Sequence, residues 1–322
     1  MSLPRAYCFN TKTIVDITTA SQIYYSQPEP RHELTFGCAN AACRTGENQQ
    51  IILGINYTKI PGIDEFVQQP HFRTKTRSIH HHDCPYVDYQ LAVDELDAEE
   101  PLNPPISGVK KSTLVEIFSP ANMQEARELD SIDIQVIQDV KNIKEKKHRI
   151  EAIKDILRKI PNCTSRLNLA AKCFLAMTPD LRKEIPFQIE GHPQLKYSSY
   201  FKWAGYCDVN RRTPCIYYGR VNIQYLSMKD PFYALRFHKR VTDNDGNERT
   251  VTIRVPVELL QQSRDRAFYE TILSSVAGLA GHNVMCFVYG AASFAEKTPD
   301  KHIDININHL HNLAIFLDDG KS

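Results

Sequence analysis

The chain has 322 residues, 42% of them apolar and 24% charged, and its 39 basic and 38 acidic side chains leave a formal net charge of +1. These proportions are those of an ordinary globular protein and exclude a disordered, collagen-like or membrane-embedded chain. No apolar run approaches the roughly 18 residues a spanning helix needs, and Met1 to Asn10 lacks the basic start and apolar stretch of a signal peptide, so a cytoplasmic protein without a membrane partner is expected.

The first 30 residues hold a strand-like run, Thr13 to Ile17, and a helix start at Thr19 or Ser21. Cys38 and Cys43 follow, a cysteine pair on one tight loop. Ile51 to Ile55 reads as a strand and Pro61-Gly62 as a turn. The run Ser78-Ile79-His80-His81-His82-Asp83-Cys84-Pro85 then supplies imidazoles and a third thiolate. Two thiolates from one loop, closed by a histidine and a thiolate from another, suit the tetrahedral nitrogen and sulfur preference of zinc, Zn2+. The expected ligands are Cys38, Cys43, His80 and Cys84. His81, three residues before Cys84, is the alternate to His80. Nine cysteines, an odd number, suit three such thiolates plus six buried free thiols: Cys8, Cys163, Cys173, Cys207, Cys215 and Cys286.

Phe36-Gly37-Cys38, Cys43, Pro70-His71-Phe72-Arg73 and the histidine run before Cys84 together resemble the N-terminal zinc-finger module of CoiA-like competence proteins. The resemblance covers roughly residues 30–90. It departs from the family in the longer cysteine spacing and in Thr74, which stands where a second histidine often follows the Phe. The resemblance implies DNA processing, makes His71 a rival ligand, and brings a metal-dependent nuclease into consideration.

Charge is segregated along the middle of the chain. Residues 85–136 carry eleven acidic and three basic side chains, a net of −8, whereas residues 137–183 carry five acidic and twelve basic ones, a net of +7. A nucleic-acid surface on the basic part, with an acidic segment that repels phosphate or covers the basic part intramolecularly, is the reading this asymmetry suggests. Asp94 to Gly108, acidic and with three prolines, reads as a linker. Ser119-Pro120 signals a helix start, and Ile143, Ile150, Ile153, Ile156, Leu157 and Ile160 recur at helical spacing up to Pro161. A further helix, capped by Thr164 or Ser165, would bury Leu167, Ala170, Ala171, Phe174 and Leu175, with Pro179 ending or restarting it.

Beyond Tyr206 the apolar period changes to two. Ile216 to Leu226, Tyr233 to Val241 and Thr250 to Val257 alternate, with Asn244-Asp245-Gly246-Asn247 as a hairpin turn. A helix over 258–277 and strands over 282–289, 303–307 and 313–317 complete the order of an OB-like antiparallel β-barrel. The expected fold is thus α+β and multidomain: a zinc-finger module (1–93), an acidic linker (94–118), a helical domain (119–205) and the OB-like domain (206–322).

Strand parity places Arg236, His238 and Arg240 opposite Tyr233, Leu235, Phe237 and Val241, and Arg254 opposite Ile253 and Val255. Tyr218 and Arg220 share a parity on the preceding strand. These six residues, Tyr218, Arg220, Arg236, His238, Arg240 and Arg254, form a candidate surface for single-stranded DNA or RNA, which binds through backbone charge and base stacking. The function expected is a zinc-stabilised nucleic-acid-binding accessory to a partner enzyme in DNA processing, uptake or defence. The alternatives are a nuclease and a protein–protein adaptor. No catalytic motif supports the nuclease: Asp139, Glu145 and Lys147 share a helical stretch that does not bring them together, which leaves Glu190, Asp208 and Asp304 as the carboxylates that distant strands could make converge.

Overall fold

The computed structural model describes residues 3–44, 51–59, 70–75, 80–81, 84–99, 114–120, 140, 142–159, 163–164, 166–211, 214–227, 230–242, 246–263, 266–277, 284–296 and 302–317. The first unit begins with the hairpin β1 (Arg5–Cys8) and β2 (Thr13–Asp16). Asp16 starts α1 (Ile17–Ser26), its carboxylate accepting from the Thr19 amide at 2.7 Å and from the Thr19 hydroxyl at 3.0 Å, so the cap lies upstream of the residues the sequence suggested. β3 (Phe36–Cys38), β4 (Ile51–Ile55) and β5 (His71–Thr74) complete an antiparallel sheet in the order β2-β1-β3-β4-β5. Ala6, Cys8, Phe36, Ile52, Tyr57 and Phe72 form its core. The expected turn at Pro61-Gly62 lies outside the described residues.

α2 (Pro85–Glu99) follows immediately after Cys84 and takes in Asp94 to Glu99, the start of the expected linker. Residues 100–113 lie outside the described residues, as does the helix expected after Ser119. β6 (Ile117–Phe118) precedes α3 (Lys146–Lys159), which packs on α2 through the isoleucine stripe: Ile153 and Ala92 are fully buried, with Ile143, Ile150, Ile156 and Tyr89 around them. Here the charge segregation is resolved within the molecule. Arg149 of α3 meets Asp88 of α2 at 2.6 Å with both side chains buried, and Lys154 meets Glu95 at 3.0 Å. Two cations of the basic segment are therefore already partnered by the acidic one.

β7 (Cys163–Thr164), α4 (Leu167–Ala176), α5 (Pro179–Glu184), β8 (Pro186–Ile189), β9 (Leu195–Lys196) and α6 (Tyr197–Tyr200) make up the rest of the middle, with a small sheet in the order β7-β6-β8-β9. α4 buries Leu167, Ala170, Ala171, Cys173 and Phe174 but leaves Leu175 exposed. Thr178 caps α5 ahead of Pro179.

The main sheet contains β10 (Phe201–Trp203), β11 (Ile216–Leu226), β12 (Phe232–Phe237), β13 (Val241–Thr242) and β14 (Glu248–Pro256). After α7 (Val257–Gln262) and α8 (Arg266–Ala277) come β15 (Val284–Tyr289), β16 (Ala291–Phe294), β17 (His302–Asn306) and β18 (Leu313–Leu317). Its path is β16-β17-β14-β12-β11-β15-β18, with β10 parallel to β11 and β13 against β14. The strand at 233–241 is broken: β12 ends at Phe237, and His238 to Arg240 lead out of it.

This sheet is not the closed barrel that the strand order suggested. Among the described residues its end strands, β16 and β18, do not pair with one another, and β17 enters parallel to β14. The physical reason is that apolar residues line one face throughout and, on the other, the part made by β11, β15 and β18. Val221, Leu235, Ile253, Cys286 and Ile305 pack with Leu260, Tyr269, Ile272 and Leu273 of α7 and α8. On the other face Ile216, Phe287 and Ala314 pack with Leu167, Phe174, Phe187, Tyr197 and Phe201. A sheet with helices to bury against on both sides gains nothing by curling around an interior of its own. No helix among the described residues is long and apolar enough to cross a membrane.

Candidate functional site

The candidate metal site is built by a loop and a helix start. β3 delivers Cys38, and the chain then turns through a short 3-10 helix, Ala41–Cys43, whose first free amide is capped by the Asn40 side chain at 3.2 Å. The turn closes through Cys43 N–H to Asn40 O at 3.1 Å and Arg44 N–H to Ala41 O at 2.9 Å. This is how a spacing of five tolerates two ligands on one loop: the extra residues are wound into a helical turn. Arg44 clamps the loop, donating to the carbonyls of Cys38 at 2.8 Å and Ala39 at 2.7 Å, while its guanidinium lies 4.0 Å from the centre of the Tyr7 ring. Its position directly after Cys43 was the available sequence signal.

Cys84 comes from the other side, at the residue before α2, in a turn closed by its amide on His81 O at 2.9 Å. Cys38, Cys43, His80 and Cys84 place one ligand atom each within 4.8 Å of one another, and the three cysteines are buried. Cys38 Sγ stands 3.5 Å from Cys84 Sγ, and Cys43 Sγ 3.7 Å from His80 Nδ1. Thiolate and imidazole ligands held about 2.0–2.3 Å from a tetrahedral ion stand about 3.5–3.8 Å apart, and these two separations match that spacing. His80 turns Nδ1 to the Cys43 sulfur, and its Nε2 is buried without a hydrogen-bond partner.

The electrostatics agree with a shared anionic site. The hydrogen bond from Cys38 is the main cause that holds the Cys84 thiol down to about 4, against the opposing effect of burial; His80 beside it acts in the same direction. Hydrogen bonding to Cys84, burial and charge repulsion push Cys38 upward. Burial also raises Cys43, although the His81 amide donates to its sulfur at 3.3 Å. Thiols that resist ionising together are what a cation in their midst would relieve.

The alternates are placed elsewhere. His81 contributes its backbone to the site while its side chain is exposed, and His71 sits on β5 opposite Ile55, outside the group.

The six residues expected to bind nucleic acid divide between two settings. Arg220, Arg236 and Arg254 lie on one face of the main sheet, in register with Asn222, Gln224, Thr252, Asp304 and Asn306, and His238 follows the end of β12 on the same side, its Nε2 2.9 Å from Asn222 Oδ1. Arg236 donates to Gln224 Oε1 at 3.2 Å, and Arg254 lies 3.5 Å from Asp304 and 4.4 Å from the centre of the Phe232 ring. Arg240 is off this face, in the loop after β12, paired with Glu248 at 3.0 Å. Tyr218 is half-buried in the aromatic layer beneath α4, stacked on Phe287 with ring centres 5.5 Å apart.

Comparison of the chain with protein-family models, curated proteins and solved structures found no match.

Proposed function

We propose that this is a zinc-stabilised protein that binds single-stranded nucleic acid for a partner enzyme, with Cys38, Cys43, His80 and Cys84 holding a structural zinc ion. Three thiolates and one imidazole gathered at one point favour zinc over magnesium or calcium, which prefer oxygen ligands. With all four positions supplied by the chain, the ion would serve folding and leave no open position for substrate. The resemblance of residues 30–90 to CoiA-like zinc-finger modules points the same way, towards DNA, and a cytoplasmic location suits free thiols.

The observation that carries the nucleic-acid reading is the open part of the main sheet. Arg220, Arg236, His238 and Arg254 are brought to one side; Arg236 shares its register row with Asn222, Thr252 and Asp304 and Arg254 shares its row with Ala234, Gln224 and Asn306, so that Asp304 is the single carboxylate among these row partners. Arg236, His238 and Arg254 are exposed. Such a surface attracts a phosphate backbone and offers amide and hydroxyl partners without demanding a sequence.

The test is anisotropy of labelled single-stranded and duplex oligonucleotides over a range of salt. The reading expects preference for the single strand, affinity falling with salt, and a shallower salt slope in an Arg236→Glu, Arg254→Glu double variant. Absence of binding by the wild type at low salt would favour the adaptor reading. Cleavage in magnesium or manganese that survives further purification and is abolished by a carboxylate substitution in this chain would favour the nuclease.

A further inference from the structure

Along one edge of β11 two strands share the work: β12 pairs with Val221 to Leu226, and β10 pairs with Ile216 to Tyr218. Between them, at Gly219 and Arg220, both chains turn away. His238 N–H still donates to Arg220 O at 2.9 Å before the chain departs, and from the other direction Ala204–Tyr206 forms a short 3-10 turn. The two departing segments touch. Gly205 is so close to the Lys239 side chain that a Cβ there would stand 2.9 Å from Lys239 Cγ and 3.2 Å from Trp203 Cδ1. The lysine stem is thereby laid across the turn that carries the aromatic residues on either side of Gly205.

Those aromatic residues are unusual in their exposure. Tyr206 is 71% exposed, more than any other large hydrophobic side chain among the described residues. Trp203, the single tryptophan of the chain, is only half-buried, and its ring meets that of Tyr218 edge-on with centres 5.3 Å apart. The Tyr206 hydroxyl is near enough to add to the rise of the Tyr218 phenol, a rise due first to burial. Arg220 is the next residue on the same face of β11 as Tyr218, Lys239 lies against Gly205 of the turn, and His238, bonded to the Arg220 carbonyl, precedes it. A half-buried tryptophan followed three residues later by a tyrosine whose ring lies in water, at the end of a cationic sheet face, leaves aromatic surface uncovered that packing does not account for.

We propose that Trp203 and Tyr206 form a base-stacking platform for an unpaired nucleotide, with Arg220, His238 and Lys239 beside it for the adjoining phosphates. This rests on the nucleic-acid reading above and adds to it a place where bases, rather than the backbone alone, are held. The commitment to nucleic acid over an apolar peptide follows from the charge: the groups bordering the rings are cations, which complement phosphate. Every base offers a π-face, so the platform is tolerant of sequence and requires only that a base be present.

The experiment uses the full chain with oligothymidylate and with an abasic strand of the same length and charge. The platform requires Trp203 fluorescence to change with oligothymidylate but not with the abasic strand, and the abasic strand to bind more weakly. Tyr206→Ala should weaken oligothymidylate binding about tenfold, and Tyr206→Phe should restore it, since the ring and not the hydroxyl stacks. Because Tyr206 is exposed, loss of folding is not the expected cause; near-wild-type melting of Tyr206→Ala verifies this. Tyr225→Ala, removing an exposed tyrosine on the opposite sheet face, should bind as wild type. Equal binding of the two strands with unmoved fluorescence overturns the platform while leaving the cationic face intact, as does an unchanged affinity of Tyr206→Ala. Failure of the wild type to bind either strand overturns both readings.

Discussion

The N-terminal cluster and the main sheet are held by opposite means. Around Cys38, Cys43 and Cys84 the apolar side chains packed against the cluster are, among the described residues, the partly buried Tyr86 and Val87, and the loop is gripped by side chains on its backbone: Asn40 on an amide, Arg44 on two carbonyls. The sheet has a continuous core on one face and an aromatic layer on the other. A region with little apolar surface to bury needs a ligand or cross-link to hold one conformation. The sheet does not. Removing chemistry should therefore wreck one region and removing methyl groups the other, and each should be blind to the other's perturbation.

The largest effect expected is chelation or a Cys43→Ser substitution. Because the binding energy of a structural zinc, about 10–16 kcal/mol in zinc-finger peptides, is folding energy, amides of β3 and of the first turn of α2 should lose hydrogen-exchange protection while β11, β12 and β15 keep theirs. Loss spreading into the sheet would break the comparison. Next comes Phe287→Ala, a fully buried ring stacked on Tyr218 in the aromatic layer. It should cost about 3–5 kcal/mol in denaturant unfolding and leave metal content unchanged.

The α2–α3 contact sits between these extremes. Breaking the buried pair with Asp88→Asn or Arg149→Met alone should cost about 3–5 kcal/mol, because the surviving charge is left without its partner. Replacing both residues by apolar ones should recover much of that loss, and a double-mutant cycle measures it. The smallest effect is a pH dependence on the sheet side. Burial pushes the Lys172 ammonium on α4 down to about 8. Since the unfolded chain binds that proton up to about 10.5 while the folded chain has released it, stability attributable to this residue rises between pH 8 and 10.5 and is flat below 8. Lys172→Met should remove that rise from a comparison of unfolding midpoints across the window.

How much of this was legible in the sequence follows from what each segment buries. β11 and β18 occupy the ranges that the apolar pattern marks, and β4 does too, because each is a full strand with at least one apolar face. The four-residue β16 and the two-residue strands of the middle sheet are too short for any period to register. α2 misleads for a different reason. Its buried positions include Asp88 and Gln90, so its inner face is polar and its acidic end looks like linker. The grouping of Cys38, Cys43, His80 and Cys84 was readable because chemistry, not periodicity, marks such residues. Sheet closure was not, since strand order says nothing about whether a second helix layer waits on the far face. The cationic rows were foreseen through parity at Arg236 and Arg254, but Arg240 was carried along only by treating residues 238–241 as strand, and Tyr218 by not knowing that α4 would cover it in part.

The central claim is the ion. Elemental analysis of protein purified without chelator should find about one zinc per chain, lost in Cys43→Ser and in Cys84→Ser and retained in His81→Ala and His71→Ala. Wild-type protein without zinc, or a Cys43→Ser variant with undiminished zinc, would contradict it.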